Sequence, residues 1–179
     1  MKILTKVFWL FGRSGAGKTT LALRLRDGLW NRGIPVVCLD GDEMRSTLCS
    51  DLGFRLEARL ENHRRIAHIA RLLADQDFNV VVSTMAPEYP QRDLVTRVLG
   101  DKLVWLFIDA PLEVCVSRDP KGIYKRAQAG ELMQLIDYPF DAPRPHEHEN
   151  HINTMMQNVD ECCHAILTVA MSQLNDFTI

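Results

Sequence analysis

A stretch of nine residues, GRSGAGKTT at positions 12–20, limits the possible folds of this chain more than any other feature. Gly12, Gly15 and Gly17 stand close together there, directly after the apolar run VFWLF at 7–11. Because glycine loses more conformational entropy on folding than any other residue, such a cluster indicates a backbone that another group must approach closely. The pattern predicts a buried strand, a tight loop and then a helix.

Short apolar runs recur along the chain and predict further strands. They are rich in β-branched and aromatic residues and almost free of polar ones, which is typical of parallel strands buried on both faces. The predicted strands are 7–11, 36–39, 80–83 and 103–108, with a weaker fifth at 151–154.

Helical periodicity fills the intervals between these strands. The predicted helices are 17–31, 56–75, 89–99, 111–118 and 155–171. Alternating strands and helices with right-handed crossovers predict a three-layer α/β fold, formed by one domain over residues 1–179. The proline-rich segment from Asp119 to about residue 149 is predicted to be a lid, with a helical piece around Ile123–Leu135.

Charge and cysteine content limit the function classes. A formal net charge of -2 argues against a nucleic acid or an anionic membrane as a partner, and no apolar run is long enough to span a bilayer. Five cysteines without a CxxC spacing are typical of a reduced compartment, so we expect a cytoplasmic protein.

The glycine stretch also matches the phosphate-binding motif G-x-x-x-x-G-K-[ST] at Gly12, Gly17, Lys18 and Thr19. The amides of such a loop surround the phosphates, the lysine reaches the outer phosphates, and the threonine hydroxyl ligates Mg²⁺. The alternative is that these residues form only a flexible turn without a ligand, but the predicted strand before them and the predicted helix after them disfavour it. We therefore expect ATP and Mg²⁺ as cofactors, bound by Gly12, Arg13, Ser14, Gly15, Ala16, Gly17, Lys18, Thr19 and Thr20.

Two carboxylates follow the second predicted strand in the sequence LDGDEMR. Asp40 and Asp42 would face the crevice at the carboxyl edge of a parallel sheet, where ligands bind. One of them can hold Mg²⁺ through water, and the other can deprotonate an attacking hydroxyl group. The alternative is that Asp42 merely caps a helix. We predict Asp40 and Thr19 as the metal pair, and Asp42 and Lys18 as catalytic residues.

Several motifs together resemble the adenylylsulfate (APS) kinase family. They are GRSGAGKTT, LDGDEMR, DLGF at 51–54, EARLENHRR at 57–65, RDPKGIYKRAQAGE at 118–131 and IDYPFDAP at 136–143. The resemblance implies a P-loop kinase fold whose five-stranded parallel sheet has the order 2-3-1-4-5. It also implies phosphoryl transfer from ATP to the 3′-hydroxyl of adenosine 5′-phosphosulfate, a small-molecule nucleotide acceptor, and a possible homodimer.

The resemblance further assigns roles by position. Asp42 matches the acceptor-site base, and Lys121 lies in the lid motif. Phe54 matches a residue that packs near the acceptor adenine. Arg45, Arg59 and Asn62 match residues that bind the phosphosulfate, and Arg59 and Asn62, three residues apart, would share one helix face.

The sequence departs from the family pattern on the acceptor side. Ala86 replaces a serine, and ELMQLIDYP lacks the aromatic residue that stacks on the acceptor adenine, which Tyr138 or Phe140 could replace. Two alternatives therefore stay open. The first is a kinase for another nucleotide, such as cytidine diphosphoramidate in surface-polysaccharide synthesis. The second is a nucleotide-binding switch without catalysis.

Two smaller features each allow a functional and a structural interpretation. The histidines of HEHENH at 146–151 could bind Zn²⁺, although a solvated loop is favoured. Asp109 would either help to close the site or cap the helix near Pro111.

Overall fold

The computed structural model describes residues 4–131 and 140–175. Residues 1–3, 132–139 and 176–179 lie outside this range, and so do Tyr138 and the last part of the predicted helical piece Ile123–Leu135.

The described residues form one parallel sheet of five strands. Its order is β2-β3-β1-β4-β5, and all four neighbouring pairs run parallel, which confirms the expected fold. The strands are β1 Val7–Phe11, β2 Val36–Asp40, β3 Asn79–Ser83, β4 Leu103–Asp109 and β5 His151–Asn153.

Eight α-helices surround this sheet in the part of the chain that the structure covers. They are α1 Lys18–Trp30, α2 Gly41–Ser46, α3 Leu56–Ala74, α4 Tyr89–Leu99, α5 Leu112–Arg118, α6 Ile123–Gln128, α7 Pro145–His148 and α8 Val159–Asn175. The short helix α7 was not predicted, and α2 entered the predictions only as the helix that Asp42 would cap in the alternative interpretation. The last helix begins later than expected because Asn158 and Glu161 cap it reciprocally through their side chains and amides, at 2.8 and 3.0 Å.

Alternate side chains of β1 belong to two separate hydrophobic cores. Phe8 and Leu10 pack with residues of α1 and α8 on one face of the sheet. Val7, Trp9 and Phe11 pack with residues of α3 and α4 on the other face. This period of two gives the three layers, and it explains why the strand reads as a continuous apolar run.

A buried ion pair fastens the segment before β5 to α4. Arg92 and Glu147 are both 0% exposed, and Arg92 Nε lies 3.2 Å from Glu147 Oε1. The guanidinium also donates to the carbonyl oxygens of Ala86 at 3.1 Å and Asp141 at 3.0 Å. Glu147 is therefore not part of a solvated loop, and among the described residues no group of three side chains at 146–151 or elsewhere could hold a metal ion.

We predict that Glu147→Gln lowers the free energy of unfolding by about 3 kcal/mol, because the Arg92 charge would remain buried without its partner. Urea denaturation at pH 7 measures this. The matched control is Glu131→Gln, which removes an exposed ion pair with Arg126 and should cost less than about 1 kcal/mol. Equal effects of the two substitutions would contradict the importance of the buried pair.

Asp109 does not cap the helix near Pro111. Helix α5 begins after Pro111 without a side-chain cap, while Asp109 Oδ2 lies 3.0 Å from His151 Nε2.

All five cysteines are free thiols. Within residues 4–131 and 140–175, no helix combines the length and the apolar character needed to cross a membrane.

Candidate active site

The glycine loop between β1 and α1 packs closely against the backbone of β4 and α5. Gly12 has a φ of +151°, and a Cβ atom there would lie 2.1 Å from the carbonyl oxygen of Ile108. At Gly15, with a φ of +80°, a Cβ atom would lie 2.7 Å from the carbonyl oxygen of Cys115. Only glycine fits these positions. Gly17, also at positive φ, precedes α1 and has no side chain to cap it, so the first amides of the helix are available to an anion.

Lys18 opens α1 and places its ammonium group back over the loop. Its Nζ donates to the carbonyl oxygen of Arg13 at 2.8 Å. Loss of hydration, with the positive charge of Lys121 as the next cause, lowers the pKa of Lys18 to about 8. A polyanion seated in the loop would favour the charged form of this lysine.

Thr19 and Asp40 come together where α1 and β2 meet. Thr19 Oγ1 donates to Asp40 Oδ2 at 2.9 Å. Asp40 also caps α2, because its Oδ1 accepts from the Asp42 amide at 2.9 Å. The alternative that Asp42 caps this helix is therefore wrong, and the Asp42 carboxylate is left for another purpose. A hydroxyl and a carboxylate side by side fit Mg²⁺, which prefers hard oxygen ligands.

One continuous cavity of about 1150 Å³ joins the loop to the residues predicted on the acceptor side. Gly12 is buried behind it, and the Arg13 guanidinium lies 5.0 Å from the centre of the Phe140 ring. The predicted site residues that line the cavity are Ser14, Gly15, Ala16, Gly17, Lys18, Thr19, Thr20, Asp40, Asp42, Arg45, Phe54, Arg59, Asn62 and Lys121.

An ion pair connects the predicted base to the first part of the lid. Lys121 Nζ donates to Asp42 Oδ2. Both side chains are half-exposed or more, so the pair contributes little to stability and a ligand can readily exchange with either partner.

Two arginines and an aromatic ring form a cluster at the mouth of the cavity. The Arg45 guanidinium lies 4.8 Å from the centre of the Phe54 ring and donates to the carbonyl oxygen of Gly53 at 2.9 Å. Arg59 Nε donates to the carbonyl oxygen of Phe54 at 2.7 Å. The Phe54 side chain is 63% exposed, so its ring offers an open face to a planar ligand.

Asn62 and His63 line the cavity from α3, and sequence analysis missed the histidine. Their exposed fractions are 3% and 5%. His63 Nδ1 lies 2.8 Å from the carbonyl oxygen of Arg59, and its ring stacks on Trp9. Asn62 Oδ1 and His63 Nε2 are buried and have no hydrogen-bond partner in the described part of the chain. The only sequence signal was the position of His63, directly after Asn62.

Phe140 packs in an aromatic cluster and does not line the cavity. Its ring is parallel to that of Phe11, with centres 6.5 Å apart, and its centre lies 6.1 Å from that of Phe107. Tyr138, the other suggested substitute, lies outside the described residues. Ala86, where the family pattern has a serine, is fully buried.

The structure gives the two arginines near the lid distinct partners. Arg118 donates to the carbonyl oxygen of Thr154 at 2.8 Å, which places its guanidinium beside the loop. Arg126 pairs with Glu131 at 3.2 Å. Both arginines line the same cavity as Lys18.

Comparison with known proteins supports the same interpretation. The family model described as adenylylsulphate kinase matches residues 4–153. The chain belongs to the adenylylsulphate kinase family. The match covers most of the chain, so the family assignment does not rest on the phosphate-binding motif alone.

Individual relatives share most of their length with this chain. The adenylyl-sulfate kinase of Klebsiella pneumoniae subsp. pneumoniae is 44% identical over 79% of this chain and 72% of its own length. That of Marinobacter nauticus is 40% identical over 90% of this chain and 81% of its own. The structure of the Mycobacterium tuberculosis APS kinase in complex with AMPPNP and APS superposes with a TM-score of 0.89. It is 34% identical, covering 95% of this chain and 99% of that chain.

Proposed function

We propose that this protein transfers the γ-phosphoryl group of ATP to the 3′-hydroxyl of adenosine 5′-phosphosulfate. The observation that carries the proposal is that the phosphate-binding loop and the Asp42 carboxylate line one cavity, so that a donor and an acceptor could meet there. The relatives named above are adenylyl-sulfate kinases, and the Mycobacterium tuberculosis APS kinase has a structure in complex with AMPPNP and APS.

In this proposal the glycine loop and Lys18 bind the triphosphate of ATP. The loop amides and the start of α1 would hold the phosphates, and the Lys18 ammonium would neutralise charge on the γ-phosphoryl group. Thr19 and Asp40, whose oxygens lie 2.9 Å apart, would hold Mg²⁺. When bound, this ion supplies positive charge to the phosphate oxygens of ATP.

Asp42 is proposed to orient and deprotonate the attacking hydroxyl group. The 3′-oxygen forms a bond to the γ-phosphorus, the bond from that phosphorus to the bridging oxygen breaks, and ADP leaves. The hydroxyl proton passes to the Asp42 carboxylate and then to water. Lys121 would release Asp42 and move to the anionic substrates when both are bound.

Arg45, Arg59 and Asn62 are proposed to hold the phosphosulfate, and Phe54 to pack on the adenine. Two guanidinium groups suit an acceptor with two negative charges, because each can donate a pair of hydrogen bonds to two oxygens. Because Phe54 is exposed, the acceptor could reach Arg45 and Phe54 from solvent while ATP is bound.

An ADP-release assay with adenosine 5′-phosphosulfate tests the proposal. ATP with Mg²⁺ should give ADP only when the acceptor is present, and the product should carry phosphate at the 3′-position. The same assay with cytidine diphosphate derivatives tests the alternative that the protein is a kinase for another nucleotide. The absence of Phe140 from the cavity lining favours this alternative. Tight ATP binding by calorimetry, without ADP release for any nucleotide acceptor, would instead indicate a switch.

Two further expectations join this proposal. We expect a homodimer and a cytoplasmic location. Light scattering of the purified protein measures the first, and fractionation of the source cells measures the second.

A further inference from the structure

The connection between β3 and α4, residues 84–88, lies between the two halves of the proposed reaction. On one side, the Gly12 amide at the start of the glycine loop donates to the carbonyl oxygen of Met85 at 3.3 Å. On the other side is Gly41, which directly precedes the predicted base. A Cβ atom at Gly41 would lie only 3.1 Å from Thr84 Cγ2. This β3–α4 loop therefore touches both the glycine loop and the turn that carries the base.

The β3–α4 loop includes a backbone conformation that alanine rarely adopts. Ala86 has a φ of +39°, in the left-handed region that favours glycine, and it is fully buried. Strain of this kind persists only where the surrounding contacts fix the conformation, and it is common at functional sites. The contacts that hold the carbonyl groups of Ala86 and its neighbour therefore help to determine the shape of the loop.

Arg92 supplies these contacts from α4. Its Nη1 donates to the carbonyl oxygens of Ala86 at 3.1 Å and Pro87 at 3.3 Å, and its Nη2 donates to that of Asp141 at 3.0 Å. The guanidinium carbon lies 5.3 Å from the centre of the ring of Phe11, the residue directly before the glycine loop. A planar group with several donors can hold three carbonyl groups at once, which a single ammonium group cannot match.

Arg92 can act on the reaction only through the residues that it holds. Its side chain is 0% exposed, and it does not line the cavity. Met85 and Pro87 of the β3–α4 loop do line the cavity. The role of Glu147 is different, because it pairs with the guanidinium charge through Nε and leaves Nη1 and Nη2 to the carbonyl groups.

We propose that Arg92 is a positioning residue for phosphoryl transfer. It holds the β3–α4 loop so that the glycine loop and Asp42 keep the separation that an in-line attack requires. The proposal rests on the function proposed above and deepens it. Its physical basis is the sensitivity of transfer to geometry, since a misplacement of about 1 Å caused far from the reacting atoms can lower the rate about 10²-fold.

Three variants separate the charge of Arg92 from its contacts with the loop. Arg92→Lys keeps a positive charge for Glu147 but cannot hold three carbonyl groups. Glu147→Gln removes the charge partner and leaves the carbonyl contacts in place. The double variant Arg92→Met with Glu147→Leu removes those contacts without leaving a buried charge, an exchange that is often neutral for stability. Arg97→Lys, at an exposed position of the same helix, is the matched control.

The measurement is ADP release with ATP, Mg²⁺ and adenosine 5′-phosphosulfate, with kcat expressed per ATP-binding site counted by calorimetry. Arg92→Lys and the double variant should lose about 10- to 100-fold in kcat, with the Kd for ATP within about threefold of wild type. Glu147→Gln should unfold at a lower temperature and yet keep kcat within about threefold. Arg97→Lys should change neither quantity. If a single variant fails to fold, the double variant decides, because it buries no unpaired charge.

A merely structural role of Arg92 predicts a different pattern. If Arg92→Lys and the double variant keep kcat per binding site within about threefold of wild type, the inference is wrong. It is equally wrong if the Kd for ATP rises as much as kcat falls, or if Glu147→Gln loses as much kcat as Arg92→Lys. A wild-type protein that binds ATP but releases no ADP with this acceptor would instead overturn the proposed function, and the inference with it.

Discussion

Replacement of Lys18 by methionine should reduce kcat/KM for ATP by at least about 10³-fold. The ammonium group is the charge that the fold places over the glycine loop, with Nζ 2.8 Å from the carbonyl oxygen of Arg13. Loss of a group that stabilises developing charge in a preorganised site costs about 10²–10³-fold in many enzymes, and the γ-phosphoryl group is more highly charged than most. Steady-state kinetics with saturating acceptor measure the effect.

The same substitution should make the ligand-free protein more stable. The pKa of Lys18 in the fold, about 8, lies below its usual value of 10.5, so at pH 7 burial of the charged form opposes folding. This penalty is complete below pH 8 and disappears as the pH rises to 10.5, where the deprotonated form is favoured in both states. Methionine removes the penalty, and the lost hydrogen bond to Arg13 offsets part of the gain. We expect an unfolding temperature about 2–4 °C higher at pH 7.

Opposite changes in activity and stability separate a functional role from a structural one. Lys125→Met is the matched control, because Lys125 is an exposed lysine of α6. It should leave both quantities close to their wild-type values. A Lys18→Met variant that retains more than a tenth of the wild-type kcat/KM would contradict the proposed role of the lysine.

The sequence predicted the donor side well, for local reasons. Gly12, Gly15 and Gly17 all adopt positive φ, and a Cβ atom at Gly12 or Gly15 would collide with neighbouring backbone. The spacing of this motif is set by backbone geometry, so the motif specifies its own structure, and the strands beside it are recognisable as continuous apolar runs. The order of the sheet came from the family resemblance rather than from periodicity, because pairing of strands depends on contacts distant in sequence.

The buried polar groups were predicted less completely than the glycine loop, because their partners depend on tertiary burial. Arg92 and Glu147 are 55 positions apart in the sequence (147 − 92), and nothing local distinguishes them from surface charges, yet both are completely buried. His63 is one of six histidines, and only the fold shows that this residue lines the cavity while its Nε2 is buried without a hydrogen-bond partner among the described residues. Capping by Asp42 stayed open as an alternative because Asp40 and Asp42 satisfy the same local rule, and only the structure shows that Asp40 is the cap.

Asp42→Asn should lower kcat by about 10²–10⁴-fold and change the KM for ATP by less than about twofold. Asparagine keeps the size and the hydrogen-bonding reach of the carboxylate, but it cannot accept a proton from the attacking hydroxyl group. ATP is held by the loop and Lys18, which the substitution does not touch. Glu43→Gln on the same helix turn is the matched control and should leave kcat unchanged, because Glu43 is exposed and its side chain is outside the cavity lining.

The ion pair with Lys121 offers a sharper test of what Asp42 does. Both Asp42→Asn and Lys121→Met break this pair, but only the second leaves the carboxylate in place. If Asp42 is the base, Lys121→Met should raise the KM for the acceptor and keep kcat within about tenfold of wild type, far above the Asp42→Asn variant. If the pair itself is what the reaction needs, both variants and the double variant should lose kcat to the same extent, because residues that act as a unit lose their effect together. That result would remove Asp42 as the base and make its contact with the lid the essential feature.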